Sequence, residues 1–185
     1  MIIKYFEINK GNFDKHNLFL IYGENEGLKK EIIQTLKKKF SGNIENHDET
    51  EIIQNNESFY EKLLNKSLFE EEKIIIVNRC SERILNVIEK ILDKKITDTK
   101  IILNADILEK KSKLRNLFEK SKELVIIPTY KDTSSSLGEI AKKFFYNYKI
   151  SISQETISLL VSRCNGDRGH LKNELDKILI YMNDK

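Results

Sequence analysis

The chain alternates between short apolar runs of strand length and longer segments whose apolar residues recur every three or four positions. Four runs have the pattern of strands buried on both faces, at residues 18–22, 73–77, 100–103 and 124–127. Helical spacing separates these runs, first over residues 25–40 and later over 81–92 and 110–120. Strands that alternate with helices of roughly 10–15 residues predict an α/β fold with a parallel sheet and helices on both faces.

Shorter elements are predicted between these segments. Residues 43–47 have the composition of a weak edge strand, and residues 49–54 and 59–64 have the spacing of short helices. Ser81 is a predicted N-cap of the helix that follows the 73–77 strand, and Ser153 is another predicted cap. Asn104 and Asp106, directly after the 100–103 strand, are interpreted as caps of the next helix, although Asn104 is also a residue type that senses a γ-phosphate.

The pattern changes after residue 128. Residues 129–136 read TYKDTSSS, a polar run without apolar period that is typical of a linker, and three helical patterns without a strand follow it. We therefore predict an α/β domain over residues 1–130 and a small three-helix lid domain over residues 131–185. An α/β domain followed by a helical lid resembles the layout of AAA+ ATPases, a branch of the P-loop NTPase folds.

The turn after the first strand is a degenerate P-loop. A working loop reads G-x-x-x-x-G-K-[ST], whose amides cradle phosphate and whose Lys reaches the outer phosphates. Here the glycines are Gly23 and Gly27, one residue too close, and the lysine, Lys29, stands one place late behind Leu28. Two glutamates in the loop would repel phosphate. We therefore do not expect Gly23, Gly27 and Lys29 to bind nucleotide.

Two further parts of an ATPase site depart from pattern. The 73–77 strand is followed by Asn78 and Arg79, where an ATPase has an acidic pair, and the arginine of the turn GDRGH at residues 166–170 is displaced by one position. No other set of side chains has the spacing of a catalytic centre or a metal site. The sequence thus predicts an ATPase fold with no catalytic residue, no metal and no cofactor.

Composition indicates the class of protein and the cellular compartment to expect. Apolar residues make up 39% and charged residues 33%, with a net charge of +3, which is typical of a globular protein and gives no strong electrostatic footprint for nucleic acid. Cys80 and Cys164 have no metal-ligand spacing and are predicted to be free, buried thiols in a reducing compartment. No apolar run has the roughly 18 residues of a membrane span, so we expect a cytoplasmic protein.

Leu68 and Phe69 are unusual because two large apolar residues stand in a helix-to-strand connection, directly before the acidic run 70–72. Such a pair either packs back onto the core or projects outward to be buried by a partner, and the pattern alone leaves both interpretations open.

Four segments in the same order resemble the delta subunit of bacterial DNA polymerase III. They read FLIYGENEGLKKE, SLFEEEKIIIVN, ILEKKSKLRNLFE and CNGDRGHLKNELDKILIY, and the resemblance covers nearly the whole chain. It implies the clamp-opening subunit of the replicative clamp loader, which does not bind nucleotide. In that family an apolar pair enters a hydrophobic pocket on the sliding clamp, and the matching positions here are Leu68 and Phe69.

The resemblance also implies partners and an assembly. They are the sliding clamp (beta subunit), the gamma/tau and delta prime subunits through a C-terminal collar domain, and primer-template DNA only within the complex, with no membrane. This sequence ends before the collar domain, which is therefore absent from it. The expected chain has no activity of its own and belongs to the DNA polymerase III holoenzyme, a nucleotidyltransferase at the level of the complex.

Three alternatives remain. One is a non-catalytic scaffold that uses Leu68 and Phe69 on another partner. Another is a true P-loop ATPase, which the altered loop disfavours. The third is a different clamp-loader subunit of related architecture, but those usually carry a zinc-binding cysteine cluster or an intact P-loop, and this sequence has neither.

Overall fold

The described part of the chain contains five strands and eight α-helices. A computed structural model describes residues 1–11, 13–40, 42–64, 73–94, 96 and 99–183. The strands are β1 (Leu18–Gly23), β2 (Asn43–Asp48), β3 (Lys73–Cys80), β4 (Thr99–Ala105) and β5 (Val125–Thr129). The helices are α1 (Glu26–Lys39), α2 (Glu49–Gln54), α3 (Asn56–Leu64), α4 (Leu85–Asp93), α5 (Lys113–Lys120), α6 (Ser134–Asn147), α7 (Gln154–Arg163) and α8 (Arg168–Asn183).

The five strands form one parallel sheet in the order β2-β3-β4-β1-β5. Every residue of β1 is buried, as its continuous apolar run predicts for a central strand. Leu20 pairs with Leu103 of β4, and Ile75 of β3 pairs with Ile101. The predicted weak strand at 43–47 is confirmed as β2, which lies at the sheet edge and is largely exposed.

Helices pack on both faces of the sheet because successive strand side chains point to opposite faces. On one face, Leu20 and its alternate neighbours join a core with buried residues of α2, α3, α4 and α5. On the other face, the ring of Phe19 lies 5.4 Å from that of Phe40, which directly follows α1, and 6.5 Å from that of Phe13. The predicted α/β class with helices on both faces is confirmed.

The start of the chain runs along β5. The amide of Ile3 donates to the carbonyl of Ile126 at 2.9 Å, and the amide of Ile126 donates to the carbonyl of Met1 at 3.0 Å. This pairing covers the outer backbone groups of a strand that would otherwise present an open edge. A single 3₁₀ turn, Tyr5–Glu7, follows.

The buried Glu49 carboxylate ties α2 to the turn after β3. Glu49 is 1% exposed and accepts hydrogen bonds from the amide of Ser81 at 2.6 Å and from its hydroxyl at 2.9 Å. Arg83 donates to the same carboxylate at 3.0 Å. A buried carboxylate needs such donors, so this network fixes the geometry of both elements.

Polar side chains begin several helices as predicted, with one exception. The Ser81 hydroxyl accepts from the amide of Arg83 and caps the 3₁₀ turn Glu82–Ile84 that leads into α4, and Ser153 caps α7. The prediction that Asn104 and Asp106 cap the next helix is wrong. That helix, α5, begins at Lys113 and is capped by Ser112.

The chain divides into two compact units. The first comprises Met1–Gly23 and Glu31–Pro128, and the second comprises Glu24–Lys30 and Thr129–Lys185. Within the second unit, α6, α7 and α8 share a core, and the function of this unit as a lid stays a prediction. Its buried members are Leu137, Ala141, Phe145, Ile157, Val161, Cys164, Leu171 and Leu175.

Both cysteines are free and buried, as predicted. Among the helices of the described residues, none is long and apolar enough to cross a membrane.

Candidate functional site

The turn between β1 and α1 has the position at which a working P-loop binds phosphate. Gly23 ends β1 with a φ of 138°, a conformation that L side chains rarely adopt, and its amide donates to the carbonyl of Asp106 at 3.2 Å. The first glycine of the degenerate loop therefore has a backbone reason to be glycine that involves no ligand.

Asn25, which is 1% exposed, holds the loop in place through both ends of its amide. Its Oδ1 accepts from the amide of Leu28 at 3.0 Å, which caps the start of α1. Its Nδ2 donates to Asp132 Oδ2 at 2.9 Å and to the Tyr130 carbonyl at 3.1 Å. The sequence analysis did not single out Asn25, although an Asn directly before a helical pattern is a common cap signal.

Three amides of this loop have acceptors inside the chain. The amide of Asn25 donates to the Thr129 carbonyl at 3.2 Å, that of Leu28 to Asn25 Oδ1, and that of Lys29 to the Asn25 carbonyl at 2.9 Å. A phosphate cradle consists of amides that point at the anion. Three donors of this loop point at protein oxygens instead.

Gly27 is in backbone contact with Gly169 at the start of α8. A Cβ built on Gly27 would lie 2.0 Å from the Gly169 nitrogen and 2.6 Å from its Cα. The first turn of α1 therefore packs directly against another stretch of backbone, and the second glycine is explained by this close approach.

The charged side chains of the loop are paired with each other and with their neighbours. Lys29 is 2% exposed, and its Nζ lies 2.5 Å from Glu26 Oε1. Glu24 lies 3.5 Å from the Nζ of Lys131. Both glutamates, whose charges would repel phosphate, also form an ion pair with a lysine.

The arginine of the GDRGH turn forms a bidentate ion pair with Asp132. Arg168 Nη2 lies 2.7 Å from Asp132 Oδ1 and Arg168 Nε lies 3.0 Å from Oδ2, with both side chains less than 10% exposed. Burial by itself would raise the pKa of Asp132, but hydrogen bonds from Arg168 and Asn25 outweigh it and hold the pKa below its ordinary value. The guanidinium of Arg168 therefore already has a protein carboxylate as its ion-pair partner.

Sequence reasoning missed Asp132. It lies in the polar run 129–136 and meets Arg168 only through the fold, 36 residues further along the chain. A lone acidic residue directly before a Thr-Ser cap run is the one signal that could have drawn attention to it.

Near the end of β3, Asn78 stands where an ATPase has the first carboxylate of its acidic pair. Asn104 Nδ2 donates to Asn78 Oδ1 at 3.2 Å, and β3 has an irregular register between Val77 and Cys80. Arg79, at a φ of 55°, forms an ion pair with Asp48. Neutral amides supply no charge to hold Mg²⁺, and the described residues contain no group of three or more His, Cys, Asp or Glu side chains that could hold a metal.

The apolar pair Leu68 and Phe69 lies outside the described residues. The described chain stops at Leu64, the last residue of α3, and resumes at Lys73, the first residue of β3. Helix α3 is firmly held because Phe59, Tyr60 and Leu63 are buried in the core.

Tyr60 anchors α3 to α4. Its hydroxyl donates to the carbonyl of Val87 at 3.3 Å, and the ammonium groups of Lys90 and Lys94 lie 5.4 and 5.3 Å from its ring centroid. These contacts fix the helix that directly precedes the predicted clamp-binding pair.

No protein-family model and no curated protein matches the sequence. Solved structures do match. The chain is similar to the Bacillus subtilis DNA clamp loader delta protein, with a TM-score of 0.61 and 15% identity over 98% of this chain. Domain III of the Thermotoga maritima replication initiation protein DnaA matches with a TM-score of 0.54 and 13% identity over 97% of this chain and 82% of its own.

A variant of Thermotoga maritima RuvB matches with a TM-score of 0.58 and 14% identity over 92% of this chain and 56% of its own. The chain has an AAA+ fold. The resemblance to the clamp loader delta subunit is confirmed at the level of the fold. The chain spans 58% of the length of the Bacillus protein.

Proposed function

We propose that this chain is the clamp-opening subunit of a replicative clamp loader and that it works by binding, without nucleotide chemistry of its own. The observation that carries the proposal is the degenerate phosphate loop, whose second glycine packs against the backbone of Gly169, in a fold similar to that of a clamp loader delta protein. An AAA+ chain whose phosphate loop is held by contacts within the chain is suited to a structural task within a complex.

The absence of nucleotide binding is supported by four kinds of contact around the loop. Loop amides donate to protein oxygens, Gly27 meets the backbone of Gly169, Lys29 pairs with Glu26, and Arg168 pairs with Asp132. Binding of a nucleotide would have to break several of these contacts together. Titration calorimetry with Mg-ATP is therefore expected to show no heat of binding.

The clamp contact is assigned to Leu68 and Phe69. Full burial of a Leu or Phe side chain contributes about 1.5–3 kcal/mol, so the two could form a hot spot within a larger interface.

Ring opening then follows from differential affinity. A protein that bound closed and open rings equally well would leave the ring equilibrium unchanged. The apolar pair must therefore bind the open interface of the clamp better than the closed one. The run 70–72 would lie at the rim, where acidic side chains affect orientation and association rate more than affinity.

The test is binding of this chain to the sliding clamp of the same organism. Wild type is compared with a Leu68→Ala/Phe69→Ala variant and with Ile107→Ala, a matched control that removes an apolar side chain 67% exposed elsewhere on the surface. We expect the double substitution to weaken binding by about 100-fold or more and the control to leave it unchanged.

Circular dichroism must show that all three proteins are folded. Failure of folded wild type to bind the clamp would reject the assignment and favour the scaffold that acts on another partner. Binding of Mg-ATP by wild type would favour the ATPase instead.

A further inference from the structure

The second half of α6 and the turn after it form a surface that combines lysines and tyrosines. Residues 140–154 contain no Asp or Glu but contain Lys142, Lys143, Lys149, Tyr146 and Tyr148. All five of these side chains are exposed. Tyr146 is 84% exposed, more than any other large apolar or aromatic side chain in the part of the chain that the structure describes.

Helical geometry places Tyr146 beside two lysines. Lys142 and Lys143 precede it by four and three residues, so the three side chains share one face of α6. The opposite face is the buried one, with Ala141 and Phe145 in the core of α6, α7 and α8. The aromatic ring is therefore exposed on the same face of α6 as the two lysines.

The turn after α6 brings a second aromatic ring and a third lysine to the same end of the helix. Tyr148 packs on Phe144 with ring centroids 4.8 Å apart and is still 52% exposed. Lys149 has a φ of 55°, and its amide donates to the Tyr146 carbonyl at 3.1 Å. This bond fixes the backbone of Lys149 next to that of Tyr146.

We propose that this surface, Lys142, Lys143, Tyr146, Tyr148 and Lys149, binds single-stranded nucleic acid. The ring of Tyr146 would stack on an unpaired base, and the lysines would contact the flanking phosphates. A duplex offers no free base face for such stacking. The proposal goes beyond the clamp contact and does not depend on it.

One carboxylate on this face opposes the proposed ligand. Glu139, one turn before Lys143, lies 3.7 Å from the Nζ of Lys142, and its side chain is 74% exposed. An exposed pair of this kind is weak and screened by salt, so Lys142 can exchange it for a phosphate. Removal of this charge should strengthen binding.

The test is fluorescence anisotropy of a labelled 20-nucleotide oligo(dT) titrated with the full chain at several salt concentrations. Tyr146→Ala is expected to weaken binding about fivefold or more, whereas Tyr146→Phe keeps the ring and stays within about twofold of wild type. Glu139→Gln is expected to bind more tightly than wild type. Tyr181→Ala, which removes a tyrosine 62% exposed on α8, is the matched aromatic control and should bind like wild type.

Salt dependence tests the lysines separately. Lys142→Ala/Lys143→Ala is expected to reduce the slope of log K against log salt by about 1.4, because each single-strand phosphate contact contributes about 0.7. The charge-matched control, Lys38→Ala/Lys122→Ala, removes two exposed lysines from outside this surface and should leave the slope unchanged.

Several results would overturn the proposal. They are no binding by folded wild type at low salt, equal affinity for duplex and single strand, or equal affinity of wild type and Tyr146→Ala. The Leu68→Ala/Phe69→Ala variant should bind oligo(dT) like wild type, so a failed clamp contact and a failed nucleic-acid surface are distinguishable.

Discussion

Two glycine-to-alanine substitutions should change stability in opposite directions. Gly27→Ala puts a Cβ 2.0 Å from the Gly169 nitrogen, whereas Gly138→Ala puts one in open space on α6, with no heavy atom within 4 Å. Both positions lie in helices, Gly27 in α1 and Gly138 in α6, so the change in chemistry is the same. What differs is the space around each glycine.

The expected changes in stability follow from the space around each glycine. At Gly27, the contact must open by 1.0 Å to pass from 2.0 Å to the 3.0 Å that real Cβ atoms respect, and both partners are backbone. We expect the free energy of unfolding to fall by about 3 kcal/mol, which is the upper end of the range for overpacked sites. At Gly138, alanine reduces the backbone entropy of the unfolded chain and should stabilise the protein by about 0.5–1 kcal/mol.

The assay is urea unfolding followed by circular dichroism at 222 nm. Because the chain has two compact units, the transition must first be tested for a single cooperative step. A Gly27→Ala protein as stable as wild type would refute the close approach of Gly27 and Gly169. A destabilised Gly138→Ala protein would show instead that the two sites cannot be compared as matched helical positions.

Three further predictions concern buried charges and thiols. Asp132→Asn should lower the free energy of unfolding by about 2 kcal/mol or more at neutral pH, because it leaves Arg168 without its carboxylate partner. Since folding lowers the pKa of Asp132 below its ordinary 3.8, the stabilisation is present above that value and is lost as the pH falls through the folded-state pKa. The gap in unfolding free energy between wild type and variant should therefore shrink in acid, and a constant gap would contradict the ion pair. Glu49→Gln should lower the free energy of unfolding, measured in urea, by about 1.5–3 kcal/mol, because it places an amide against the donors of Ser81. The control Glu57→Gln, at an exposed position, should leave the free energy of unfolding nearly unchanged. Burial, and then the Glu49 charge, raises the pKa of the Cys80 thiol. Cys80 should therefore react with iodoacetamide only when the protein unfolds. Fast labelling of the native protein would contradict the burial of this thiol.

The elements were largely predictable from the sequence because their signals are local. The continuous apolar run of β1 and the helical spacing of α2, predicted at 49–54 and found at Glu49–Gln54, depend on neighbouring residues only. The Asn104 cap was predicted from a local signal too, and it was wrong. Its side chain instead donates to Asn78 on the adjacent strand, a contact that depends on strand order.

The contacts of the candidate site could not be predicted because they join distant parts of the chain. Gly27 meets Gly169, and Asn25 donates to Asp132, across more than 100 residues of sequence. Motif comparison could therefore say that the phosphate loop departs from pattern, but not that its residues contact the Gly169 backbone and Asp132. The role of Leu68 and Phe69 stays a prediction.

The most direct test of the central claim measures ring opening without nucleotide. A fluorescent sliding clamp is loaded onto closed circular DNA, the chain is added in the absence of ATP, and release of the clamp is followed by gel filtration. We predict that wild type accelerates release and that Leu68→Ala/Phe69→Ala does not. A release rate that wild type leaves unchanged, or one that requires ATP, would contradict a subunit that opens the clamp by binding alone.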